Sequence, residues 1–163
     1  EGSVSVALGW TDNAPVLNDR LGVSGHCYPE GEVELGFNAD VAGWDEAIVP
    51  ETARQYGRAW FGERVDIAFR WQRLLCEAFA DRFARSLYPD APTPWRLEDP
   101  DAVAERWDAI REDLGERDDL PTDRATGGVA AALGRELTAD RDRRAVVEVD
   151  RTAVEAAGDA ALR

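Results

Sequence analysis

The chain has 163 residues, of which 44% are hydrophobic and 14 are aromatic (six Trp, five Phe, three Tyr), enough to build one buried core and too many for an intrinsically disordered segment. Asp and Glu number 33 against 19 basic residues, every one of them Arg, for a net charge of −14. Such a surface repels phosphate backbones and anionic lipid, which argues against nucleic-acid and membrane partners. No apolar run reaches the roughly 18 residues of a membrane span.

Residues 3–10 alternate apolar and small polar positions with period two and predict a strand. Residues 11–22, with Asp12, Asn13, Pro15 and Gly22, are expected to form a loop. Residues 22–28 lead through a Pro-Glu-Gly-Glu turn into a second alternating run, Val33 to Phe37, so a hairpin is expected, with Val33–Phe37 as the edge strand open to pairing. The period turns helical from Trp44 onward. Pro50 is placed in the first turn of a helix over 50–61, where its missing N–H costs nothing. Trp71, Leu74, Leu75, Ala78, Phe79 and Phe83 then form a broad apolar stripe on a second helix, which stops before Pro89. After a Pro-rich loop around Trp95, Asp99-Pro100 caps a third helix carrying Val103, Trp107 and Ile110.

Beyond Gly115 a charged loop runs to residue 126, an Ala-rich helix covers 128–138, and residues 140–144 are a solvated charge run. Ala145–Val149 fits either strand or helix, and 151–162 reads as an amphipathic helix. The whole predicts one α+β domain over residues 1–163, dominated by helices. With no Met anywhere, the stretch is expected to begin inside a longer gene product.

Isolated chemical signals are sparse. His26 is the only His, and a hydrolytic dyad or triad would need it as the base. Gly127-Gly128 lacks the spacing and the Lys of a phosphate-binding loop. The acids at 118, 119 and 123 read as surface charge. Cys27 and Cys76 are too few for a closed cysteine zinc site, their pairing stays open, and a reduced, cytoplasmic setting is the mild expectation. The acidity together with the absence of Lys predicts a halophile protein, whose carboxylates stay hydrated while salt screens their repulsion.

The order of segments, with Leu74-Leu75-Cys76-Glu77-Ala78-Phe79-Ala80-Asp81 following the helix around 50–61, resembles a family of predicted zinc-dependent proteases. In that family the first long helix carries His-Glu-x-x-His, usually with Tyr third, and a later helix carries Glu-Gly-Leu-Ala-Asp or a variant. The resemblance covers residues 20–114 and extends weakly to the C-terminus. It implies a zincin-like α+β fold, with a small, mostly antiparallel sheet and dominant packed helices. In the family, two His one turn apart and a Glu from the second helix hold zinc, and the motif Glu serves as base for its bound water.

This chain departs from the pattern at the chemistry itself, reading Arg54-Gln55-Tyr56-Gly57-Arg58 where the motif belongs. Guanidiniums do not ligate Zn²⁺ at ordinary pH, and an amide cannot act as the base. Only Glu77 stands at a ligand position of the family. The resemblance therefore implies a non-catalytic homologue without cofactor, binding a peptide or protein by β-augmentation at the edge strand. Arg54 and Arg58 are expected to turn toward Glu77 and Asp81, replacing the charge of the metal. The competing expectation leaves all four on solvated faces, in pairs worth about 0–1 kcal/mol. An active peptidase using His26 and Glu77, with or without zinc, and an unrelated helical halophile protein are the alternatives.

Overall fold

The computed structural model describes residues 4–28, 31–117, 119–138 and 143–163. Three strands form one sheet: β1 (Ser5–Trp10), β2 (Val23–Cys27) and β3 (Glu32–Phe37), in the order β1-β3-β2. β2 and β3 form the expected antiparallel hairpin, with Gly25 opposite Leu35. β1 lies parallel to β3, with Leu8 beside Leu35. The sheet is thus mixed rather than mostly antiparallel, because the chain crosses from β1 to β2 through a short helix, α1 (Ala14–Asp19). That helix occupies the segment expected as a loop, and Pro15 sits in its first turn, where a missing N–H is harmless. β3 is also the central strand, hydrogen-bonded on both sides, so Val33–Phe37 has no free edge. The open edges belong to β1 and β2.

One face of the sheet carries the helices. α2 (Trp44–Gly62) lies over β2 and β3, covering Val33 and Leu35, while Glu32 and Glu34 point to solvent from the other face. α2 begins six residues before Pro50, after Gly43 in a left-handed conformation (φ 87°), which leaves Pro50 buried inside the helix. α3 (Arg70–Leu87) packs along α2 on one side and α5 (Arg124–Thr138) on the other; α4 (Pro100–Ile110) and α6 (Arg151–Leu162) close the far end. Asp99 caps α4 by accepting from the Asp101 and Ala102 amides, as Asp99-Pro100 predicts. Ala145–Val149, open between strand and helix in the sequence, enters a 3-10 segment, Arg143–Glu148, and residues 140–142 of the expected charge run lie outside the described residues.

The core runs through the helices. Phe61, Leu74, Leu75, Phe79, Trp107, Leu114, Leu133 and Val154 are buried in one cluster. Trp60 stacks on Phe79 (4.9 Å between centroids, 16°) under the Arg64 guanidinium. Gly57 sets how closely α2 and α3 approach, since a Cβ there would lie 3.0 Å from Ala80 Cα. No helix among the described residues is long and apolar enough to cross a membrane.

Candidate functional site

The face of α2 turned toward α3 and β2 carries Glu51, Arg54, Gln55 and Arg58, spaced i, i+3, i+4, i+7 and therefore stacked on one side of the helix. Glu77 projects from α3 into the middle of this row. Arg54 Nη2 donates to Glu77 Oε2 at 2.5 Å, and Arg58 Nη2 approaches Glu77 Oε1 at 2.5 Å. Arg54 Nη1 also donates to Glu51 Oε1 (3.2 Å), Gln55 Nε2 donates to the same oxygen (2.6 Å), and Arg58 Nη1 donates to Gln55 Oε1 (3.1 Å). The five side chains form a closed ring, from Glu51 through Gln55, Arg58, Glu77 and Arg54 back to Glu51. Two carboxylates face two guanidiniums, so the ring is neutral.

Burial makes that neutrality a requirement. Glu51, Arg54 and Gln55 are buried, and an unpaired charge at such a place costs several kcal/mol (about 3–5 when one partner is removed). Burial alone would push the Glu77 carboxyl up, but the Arg58 and Arg54 guanidiniums override it and hold it at about 2. Burial likewise works against the charge on Arg58, and the Glu77 carboxylate more than offsets it, raising the Arg58 pKa. Cys76, next to Glu77, is pushed up to about 12 by burial and by that neighbouring negative charge. It is an inert thiol, and both Cys27 and Cys76 are free.

Not every residue expected in the network joins it. Asp81, one turn further along α3, is buried but turned to the following loop, where it accepts from Trp95 Nε1 (2.9 Å) and lies 3.6 Å from Arg96 Nη1. Tyr56 is exposed, since its place next to Gln55 turns it off the ring face, and it packs 5.6 Å from Phe83. His26 alternates with Gly25 and Cys27 along β2. Gly25 touches the ring, so His26 points to the opposite face, where it meets Tyr28 edge-on at 4.5 Å. His26 and Glu77 are therefore not brought together.

Three participants escaped the sequence reading. Glu51 supplies the second carboxylate; its spacing of three and four residues from Arg54 and Gln55 was the available signal. Trp95 links the ring to Asp81, since Arg54 lies 5.3 Å over the indole whose N–H Asp81 accepts. Gly25 lets β2 lie flush on the ring: a Cβ there would come within 2.6 Å of Gln55 Cγ and of Glu51 Oε1. Of the acids read as surface charge, Asp123 caps α5 by accepting from the Thr126 amide and pairs with Arg106, and Asp119 is an exposed partner of Arg73; Asp118 lies outside the described residues.

The donor set does not fit a zinc ion. Glu77 and Glu51 are the only anionic oxygens in the ring, both engaged by guanidiniums, and a catalytic zinc takes three protein ligands. No group of three or more His, Cys, Asp or Glu side chains converges on a point among the described residues. What the ring can do chemically is tie α2 to α3, with β2 packed against it at Gly25. Comparison with known proteins gives no match: no family model, no curated protein and no solved structure is similar to the chain.

Proposed function

We propose that this chain is a non-catalytic, zincin-like homologue of zinc-dependent metallopeptidases, serving a salt-rich cytoplasm as a binding module for a peptide or protein. One observation carries the reading. Arg54 and Arg58, one turn apart on α2, grip Glu77 of α3, and these are the three positions at which the family pattern calls for His, His and Glu. Replacing a metal by guanidiniums keeps positive charge against the half-buried Glu77 carboxylate and removes the Lewis acid, while Gln55 at the motif Glu position removes the base. β2 is an edge strand packed beside this ring at Gly25, and the Val23 amide at its start is taken by the Arg20 carbonyl. The backbone of Gly25 and Cys27, turned away from β3, is where an extended peptide would add, so recognition falls there rather than at the central strand Val33–Phe37.

The test is elemental analysis of the purified protein after zinc loading and gel filtration, run together with peptide and casein hydrolysis with and without chelator. The reading predicts far less than one zinc per chain and no chelator-sensitive hydrolysis. About one retained zinc per chain with hydrolysis that a chelator abolishes would overturn it.

A further inference from the structure

Among the described residues, β1 is the one strand that the helices leave uncovered. In the parallel register Val6, Leu8 and Trp10 align with Val33, Leu35 and Phe37, so their side chains lie on the helix-bearing face. α2 covers β2 and β3 but stops short of β1, leaving Val6 48%, Leu8 65% and Trp10 54% exposed. Trp10 is anchored at its border by an edge contact with Phe37 (6.3 Å) and by donation from Nε1 to Asp12 (2.9 Å).

The backbone of β1 is equally unprotected. The Thr11 amide donates to the Phe37 carbonyl at 3.0 Å, so Thr11 is directed at β3. Backbone direction alternates along a parallel strand, hence Ser5, Ala7 and Gly9 also address β3 while Val6, Leu8 and Trp10 turn their N–H and C=O groups to the open edge. Natural sheets blunt such edges with charges, Pro or bulges. Ser5–Trp10 has none of these, although 32% of the chain is charged.

We propose that β1 is the dimerisation strand and that its occupant is β1 of a second copy, paired antiparallel about a two-fold axis through Leu8. Symmetry supplies the argument. In this register Leu8 faces Leu8 of the second copy, and Val6 faces its Trp10 on either side. These same residues carry the outward backbone groups, so each pair exchanges two hydrogen bonds while its side chains cover one another. On the other face Ala7 meets Gly9, too small to clash. The product is one continuous six-stranded sheet with an isologous interface. A basic peptide would be the natural partner for an acidic edge, but this edge carries no charge to attract it. The −14 on each copy opposes association at long range, so the dimer should strengthen with salt, whereas a basic ligand would weaken.

The test is sedimentation equilibrium of the full chain in dilute and in molar KCl, with Leu8→Lys and, as a control on an exposed residue of α3, Leu87→Lys. Circular dichroism establishes that each variant is folded. A concentration-dependent dimer that tightens with KCl is expected. Leu8→Lys places like charges opposite each other on the axis and should weaken it at least about tenfold, with Leu87→Lys unchanged. A parent chain that stays monomeric in molar KCl, or a dimer indifferent to Leu8→Lys, overturns the proposal. Should Leu8→Lys fail to fold, Val6→Thr keeps the β-branched shape and must still weaken the dimer; no weakening is equally contrary.

Discussion

At the scale of single residues, every charge in the ring is shared between partners. Glu77 accepts from two guanidiniums, and each guanidinium has a second acceptor, Glu51 for Arg54 and Gln55 for Arg58. Glu77→Ala removes the shared acceptor and leaves two guanidiniums against the single Glu51 carboxylate, one buried positive charge in surplus, with an expected loss of about 3–5 kcal/mol in urea unfolding. The acid limb of stability follows from the same contact. The Glu77 pKa is held at about 2, below its ordinary value of 4.5, so its stabilisation is fully present above about pH 5 and is lost as pH falls from 4.5 toward 2. That difference corresponds to about 3 kcal/mol. Glu77→Gln should flatten stability across this window; an unchanged acid limb would show that other carboxylates carry it.

At the scale of elements, the helix pair was legible because its signals are local. The stripe from Trp71 to Phe83 and the spacing of Arg54 and Arg58 need nothing beyond helical periodicity, and α2 and α3 pack as that periodicity implies. Sheet order was not legible, because the register of β1 beside β3 depends on where α1 returns the chain, a tertiary matter that alternation does not encode. Pro50 misled for a related reason: it usually marks a first turn, but here the packing of Trp44 on Phe37 (5.3 Å) extends α2 toward the N-terminus past it. Asp81 looked equivalent to Glu77 on α3, and only the return of the Trp95 loop, invisible to periodicity, claims it. The contact between β2 and α2 is similarly non-local, and Gly25→Ala tests it. A methyl group there must displace Gln55 from the ring, so a loss of about 1–3 kcal/mol is expected in the same urea measurement, while Gly9→Ala, with open space around it, should cost little.

At the scale of the whole molecule, charge and fold pull against each other. A net charge of −14 on 163 residues is self-repelling in dilute buffer, and the ring, itself neutral, does nothing to relieve it. Screening lowers that repulsion, so the melting temperature should climb steeply as KCl rises from dilute to molar. A flat response would remove the halophile reading and leave acidity as a feature of composition alone.

The central claim is that guanidiniums stand where a metal would otherwise be held, and reversal of the exchange tests it most directly. Zinc titration by calorimetry of the combined variant Arg54→His, Gln55→Glu, Arg58→His, with the parent chain alongside, is the measurement. The account predicts that the folded variant takes up about one zinc ion, through the two imidazoles and Glu77, while the parent takes up none. A well-folded variant with no gain in zinc affinity would contradict it.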